Sequence, residues 1–530
     1  MRRVALVFTL IISLLIPLLL CTGCGGKKTT GEVYRISDGK GDWGLPNPYQ
    51  HYPRGPGYVR MSWVFDTLVW KDSDGYVPML AKSWEYDEKK MAFTFELVKN
   101  AAWHDGKPVT ARDIAFSIEY FKKHPYRWVN LSRVKGAEAR GDHEVVIYLS
   151  KPYAPFISDV AGTMPIIPEH IWKGVKEPKK FTEKEAFIGS GPFKFVEFDR
   201  VKGTYIYEAH ESYHRGKPLY KKLVYVKGNP MMNLTGGRAD TASIKPKMKK
   251  KLASEGFHII KDKYGWNKKM MINHKREPFS DTRFRRALAY ALDLEEIVEK
   301  AHQGFGRPAS PGLLSVDHPW YNPDTPEYPH NLEKARGLLE EMGYTKNDKG
   351  MYEKNGNPLK VELLVSNITV AGEKSPDRDG EIIRNQLEKA GIRVDMRAME
   401  QAMTDSLVKQ WKFDLALSGH GAIYGDAKIL HEMITSKGGA GSVNSARYDA
   451  NEKLVELLEK QMEEMDAGKR KELVFRIQEI YARDLPAISL YYPDNLSAYK
   501  KEKGVEWFYT RGGISKGIPI AQNKLSMIAR

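Results

Sequence analysis

Hydrophobic and polar positions alternate with a period of two at Leu359, Val361, Leu363 and Val365, which predicts a half-buried strand. From Glu381 to Ala390 the spacing becomes helical, with Ile383 and Leu387 on one face, and Val394, Met396 and Ala398 then alternate again. Strand, helix and strand in that order form a crossover unit. Phe413, Leu415 and Leu417 predict a further strand, and Leu454, Leu458, Met462 and Met465 keep one face of a helix expected to end near Gly468. Nearer the start, Phe93-Thr94-Phe95-Glu96-Leu97 alternates as a strand, and Glu144 to Leu149 reads as a more continuously apolar one. Between them Thr110 or Asp113 is suited to cap a helix. The sum is an α/β lobe with a partly parallel sheet, without the 20–50-residue repeat of a solenoid or propeller. Ligands of such sheets gather at the carboxyl ends of strands, which draws attention to the residues after Leu417.

The first residues follow another pattern. Met1-Arg2-Arg3 is basic, Val4 to Leu20 is an apolar run broken by Thr9, Ser13 and Pro17, and Cys21-Thr22-Gly23-Cys24 follows. This is the layout of an export signal, and it resembles the bacterial lipoprotein signal, in which cleavage precedes a lipid-modified cysteine. Cys24 is the expected lipidation site, because small Gly23 precedes it whereas bulky Leu20 precedes Cys21. Residues 1–23 then form the leader, and the polar Gly25 to Gly31 tract completes a flexible tether over 24–31. Both cysteines of the chain lie here, so the body holds neither a disulfide nor a cysteine metal site.

Length changes the picture next. With 530 residues and 42% hydrophobic content the chain can bury more than one core, so two lobes are the minimal expectation. The net charge of +16 is scattered through the chain instead of gathered in blocks. An exported chain has little use for nucleic acid, so the charge points to an anionic membrane surface, an acidic ligand or the habit of the host.

Several separated stretches resemble one family, the extracellular solute-binding proteins of family 5 that serve peptide- and nickel-type ABC importers. The most specific is Trp103-His104-Asp105-Gly106-Lys107-Pro108-Val109-Thr110-Ala111-Arg112-Asp113-Ile114, which reads physically as a turn, an extended approach and a helix cap. Phe65-Asp66-Thr67-Leu68-Val69, Ile188-Gly189-Ser190-Gly191-Pro192-Phe193 and Pro278-Phe279-Ser280-Asp281-Thr282-Arg283-Phe284 are similar to other family segments, as is Leu485-Pro486-Ala487-Ile488-Ser489-Leu490-Tyr491. The resemblance implies a two-lobed, periplasmic-binding-protein-like α/β clamp, with mixed sheets flanked by helices and an extra subdomain in lobe one. Lobe one spans 32–273, lobe two 278–491, and 492–530 returns to lobe one. It also implies a lipid-anchored, extracytoplasmic and monomeric receptor that is not an enzyme and needs no cofactor. Its partners are a solute, most readily a peptide, and an ABC permease with its ATPase.

The solute is read from Ser418-Gly419-His420-Gly421-Ala422-Ile423-Tyr424-Gly425-Asp426-Ala427, expected on the loop after the Leu417 strand. Peptide-binding members carry an aspartate three positions before another Asp; here Ile423 stands there. In the nickel-type pattern His420 stands for a Trp, Tyr424 for the Tyr and Ala427 for the ligating His. A peptide, a metal chelate, an oligosaccharide and a non-transport receptor or chaperone role all remain open. Candidate ligand contacts are His420, Tyr424, Asp426 and, from the other lobe, Arg127 and Trp128, since Tyr126-Arg127-Trp128 sets a guanidinium between two rings. Trp266 joins them, with Trp43 and Trp63 as further cleft aromatics. No metal site or catalytic residue is expected: His431-Glu432 lacks the second helical His of zinc hydrolases, and Gly189-Ser190-Gly191 is not a Gly-x-Ser-x-Gly elbow.

Overall fold

The computed structural model describes residues 31–262, 265–366, 368–370, 373–375, 378–438 and 444–529. The leader, Cys24 and all but the last residue of the tether lie outside them.

Two large sheets define the two lobes. The first has seven strands in the order His258–Lys261, Leu496–Tyr499, Thr241–Ile244, Gly31–Asp38, Tyr220–Lys227, Thr204–Ala209 and Phe193–Asp199. Gly31–Asp38 lies inside this sheet and runs parallel to both of its neighbours, whereas the remaining pairings are antiparallel. Lobe one also carries a four-stranded antiparallel sheet, Ala81–Asp87, Ala92–Leu97, Glu144–Leu149 and Val134–Arg140, packed on helix Ala111–Lys123. One core joins both sheets through Tyr34, Trp63, Phe95, Trp103 and Ile147, and includes Trp507 and Met527 from the C-terminal tail.

The second lobe is built on a six-stranded sheet, Gly306–Pro308, Ala487–Pro493, Trp266–Ile272, Leu415–Gly421, Lys360–Ser366 and Arg393–Met399. Lys360–Ser366 is parallel to Leu415–Gly421 and Arg393–Met399, as the crossover pattern requires. Both faces of this sheet are covered. Met270, Leu417, Leu363 and Ile488 belong to one apolar core, and Met271, Ala416, Leu364 and Ala487 to the other.

Three expectations need correction. Trp266–Ile272 pairs with two strands of the second sheet, so the chain crosses between lobes ahead of Trp266 instead of near 273. It returns at Asp494-Asn495, between Ala487–Pro493 and Leu496–Tyr499. The helix expected to end at Gly468 instead ends at Glu463, and a second helix, Ala467–Asp484, starts on an Asp466 cap and carries Gly468 in its first turn. The strand expected to stop at Leu417 continues to Gly421, which puts His420 on a strand and not on the following loop. Gly419 and Gly421 hide this continuation from any hydrophobic alternation. A Cβ on Gly419 would stand 2.8 Å from Trp266 Nε1, so glycine is needed for the indole to lie across the strand.

The motif stretches act as scaffold. The Asp113 carboxylate accepts the Thr110 N–H at 2.8 Å, the Thr110 hydroxyl at 3.1 Å and the Glu169 N–H at 3.0 Å, closing a capping box and tying two helices together. Asp281 accepts the Arg283 N–H at 2.8 Å at the start of its helix. Gly189 and Gly191 let one backbone lie on another: their Cβ atoms would stand 2.0 Å from Val64 O and 2.5 Å from Trp63 O. Fully buried Asp66 accepts Lys524 Nζ at 2.5 Å and lies 3.1 Å from His214 Nε2, which fastens the C-terminal tail to lobe one.

Candidate functional site

At the carboxyl ends of the parallel strands Gly31–Asp38, Tyr220–Lys227 and Thr241–Ile244 there is a cavity of about 740 Å³. Asp494-Asn495, the return crossing, and Pro519-Ile520 of the tail also line it. Pro519 Cδ is 3.4 Å from where a Cβ on Gly421 of lobe two would be, so the cavity sits where the two lobes meet at their hinge. Its wall is mixed, with Ile36, Val59, Tyr225 and Ile520 beside Asp38, Arg60, Lys245 and Gln522.

The charges of this wall are held in place. Arg60 is paired with Asp38, and its guanidinium carbon lies 3.9 Å from the centroid of the Tyr225 ring. Burial works against the charged guanidinium, but Asp38 and the surrounding tyrosines outweigh it and raise its pKa above the ordinary value. The Trp43 Nε1–H donates to Asp38 Oδ2 at 2.7 Å, and the Lys40 ammonium lies over the Tyr52 ring at 3.7 Å and the Trp43 ring at 4.5 Å. The result is a rigid, amphipathic wall that presents aromatic faces and fixed charge to one space.

A second set of spaces follows the seam between the lobes. A cavity of about 390 Å³ bordered by Arg127, Arg133, Lys428 and Glu459 meets a neck of about 30 Å³ at Lys428, Glu432 and Lys516. Beyond Lys71 and Asp426 the seam widens again to about 220 Å³, beside Tyr76, His318, Tyr424 and Arg511. Across the neck, buried Asp159 of lobe one takes Lys428 of lobe two at 2.7 Å and Lys516 of the tail at 2.6 Å. Burial alone would raise the Asp159 pKa; the two ammonium groups outweigh it and hold the carboxyl below its usual range. Arg133 reaches Glu463 at 3.1 Å and Glu459 at 3.4 Å, and the Ala154 N–H donates to Met462 O at 2.9 Å. These contacts draw the clamp shut.

The sequence-derived candidates are distributed over this geometry and do not converge. Tyr424 and Asp426 share the 220 Å³ cavity, but Asp426 is bound by Arg470 through contacts of 2.6 and 3.1 Å and caps the Lys428 N–H at 2.8 Å. Arg127 is exposed and borders the 390 Å³ cavity. Its neighbours turn inward: Tyr126 OH is 2.8 Å from His51 Nε2, and Trp128 packs on Tyr58 with centroids 4.9 Å apart. The guanidinium is therefore not held between those two rings. Trp266 and His420 lie on paired strands, Trp266 half-buried and His420 buried. Trp43 borders the 740 Å³ cavity, while Trp63 is core, donating to Tyr225 OH at 2.9 Å. Sequence reasoning missed Asp38, Lys40 and Arg60. The one signal for them is the change from the alternating strand Glu32 to Ile36 to the polar, glycine-rich Ser37-Asp38-Gly39-Lys40-Gly41-Asp42.

The sequence pattern of the bacterial extracellular solute-binding proteins, family 5, matches residues 75–442. The chain belongs to this family. An oligopeptide-binding protein, AppA of Bacillus subtilis, is 30% identical over 452 residues, 78% of either chain. Among solved structures, NikZ of Campylobacter jejuni in complex with Ni(L-His) superposes with a TM-score of 0.78 at 23% identity, over 95% of this chain and all of that one. AppA of Bacillus subtilis in complex with a nonapeptide gives 0.74 at 23% identity, over 95% and 100% of the two chains. These structures share the two-lobed clamp. Like its family, the chain is the substrate-binding component of an ABC importer, and the family consists of binding proteins and not enzymes. Among the described residues no helix is long and apolar enough to cross a membrane.

Proposed function

We propose that this family 5 protein captures a short peptide outside the cytoplasm and presents it, in the closed clamp, to a membrane permease driven by an ATPase. The observation that carries the peptide reading is the 740 Å³ cavity at the hinge. It falls within the ~300–1,000 Å³ of sites that enclose organic ligands. Its fixed charges of both signs, set among aromatic faces, suit a zwitterionic chain with mixed side chains. The peptide-binding relatives support the same class. The basic start, the apolar run and the Gly23-Cys24 junction support a leader over 1–23 and a lipid anchor on Cys24, with the body acting as a monomer at the membrane surface.

Native mass spectrometry of the body, purified without denaturation from a start just after Cys24, tests this reading. The expected result is a co-purifying set of masses that fragment as short peptides. Ile520→Trp fills the cavity wall with an indole and is expected to abolish that mass while the fold persists. A bound metal chelate, haem or sugar, or a protein that stays empty against all of these classes, overturns the peptide assignment.

A further inference from the structure

On the face of the lobe-two sheet that packs against helix Lys428–Ile434, the apolar floor of Met271, Ala416, Leu364 and Ala487 gives way to polar side chains toward the hinge end. Residues two apart on a strand share a face, so Lys269 and Asn267 continue the face of Met271. The register sets Lys269 between Ser418 and Ser489 and places Asn267 opposite His420. Directly opposed side chains on paired strands have their Cβ atoms only ~5 Å apart.

All of these groups are inside the protein. Asn267 and Lys269 are 0% exposed, Ser489 4% and His420 5%. Among the described residues, neither amide atom of Asn267, neither ring nitrogen of His420 and not the Ser489 hydroxyl has a hydrogen-bond partner. Lys269 Nζ reaches the soft sulfur of Met433 at 4.0 Å. Glu432, the residue before Met433, is engaged at 2.7 Å by Lys428, and Ser418 donates to Asn444 at 2.6 Å. Each buried polar group left without a partner costs about 1–3 kcal/mol. Three such residues, set around a buried lysine that has only a thioether to donate to, mark a site that something else completes.

The chemistry of that something follows from the donor set. An ammonium, an amide NH₂, an imidazole N–H and a hydroxyl converge from three strands, and no carboxylate answers the ammonium in the described contacts. Burial accordingly drives the Lys269 pKa down to about 7 and that of His420 well below its ordinary value. A buried, donor-rich cluster around one cationic side chain is complementary to a compact negative charge. We propose that Asn267, Lys269, His420 and Ser489 form an internal site for one monovalent anion, either a free ion or the carboxylate end of the bound solute. The second source rests on the peptide reading above; the first does not. Lys269 supplies the charge, and the other three supply the hydrogen-bond donors. The strand that carries His420 runs straight into the Ala422–Ala427 loop at the seam between the lobes, which puts the site at the end of the sheet nearest that seam.

Thermal unfolding in sodium bromide or sodium formate, against sodium gluconate at the same ionic strength, separates the sources. A free-ion site gives saturable stabilisation by bromide and formate, a bromide anomalous peak beside Lys269 in crystals, and a response weakened about tenfold or more in Lys269→Met. A solute-carboxylate site gives no such response, but a mixture of free-acid tripeptides binds about tenfold tighter than the same mixture amidated, and Lys269→Met removes the difference. Asn267→Leu keeps the lysine, and it is expected to weaken the same response even if the lysine variant does not fold. Absence of both effects in the unmodified protein, or their persistence in both variants, overturns the proposal and leaves a water-filled polar pocket. Tripeptide binding without acid-over-amide preference would leave the receptor reading standing.

Discussion

A single ammonium placed without an acid tests how far burial governs ionisation in this molecule. Lys269 is fully buried, and desolvation moves its pKa from 10.5 to about 7. Between those values the unfolded chain holds a proton that the folded chain has shed. Stability therefore climbs as pH rises from about 7 toward 10.5; below that window both states are protonated, the slope vanishes and the cost of burying the ammonium is fully present. Lys269→Met is expected to flatten this climb and to raise stability at neutral pH, as read from denaturant midpoints measured at pH 7 and pH 10. Little of this was legible in the sequence. Lys268 and Lys269 are neighbours of the same type, yet alternation sends Lys268 toward Asp379, 3.6 Å away, and Lys269 toward the opposite face. Asp426 shows the reverse case. It borders the 220 Å³ cavity, but Arg470, 44 residues later in the chain, engages its carboxylate, and no local pattern announces that pair.

Elements were easier to read than sites, because periodicity is a local property and tertiary pairing is not. The Lys360–Ser366, Arg378–Lys389 and Arg393–Met399 unit follows directly from its alternation and helical spacing. The helix near Gly468 was misjudged because an aspartate cap can restart a helix two residues before a glycine, and glycine in a first turn breaks little. The Gly189-Ser190-Gly191 turn shows why a motif recognised as scaffold is sterically demanding. Gly189→Ala puts a methyl 2.0 Å from the Val64 carbonyl, and backbone cannot swing aside as a side chain would. It is expected to destabilise the protein by about 3 kcal/mol, the upper end of ordinary overpacking costs, measured by urea unfolding. Gly106→Ala, at a position with open space but a φ of +89°, separates backbone strain from crowding.

At the scale of the whole molecule the two lobes are tied by charge as well as by Met462, which lobe two buries in the core of lobe one. Asp159 meets Lys428 across the neck, and burial that disfavours the Lys428 ammonium is outweighed by Asp159 and Glu432, which raise its pKa. Lys428→Met leaves Asp159 with Lys516 but removes the tie across the neck, one of several between the lobes. The expected outcome is a larger radius in small-angle scattering and solute binding weaker by about tenfold, the equivalent of ~1.4 kcal/mol withdrawn from the closed form. Two lobes were foreseeable from length, and the clamp from resemblance; the crossing points were not, since Trp266–Ile272 reads the same whichever sheet receives it. The placement of Leu496–Tyr499 between Thr241–Ile244 and His258–Lys261 has a further consequence. A chain that emerges amino end first can assemble all of its second lobe while the first still lacks an interior strand and the Lys524 partner of Asp66. The half that begins the polypeptide is thus the last to be finished, and any truncation of the final forty residues takes its toll at the opposite end of the sequence.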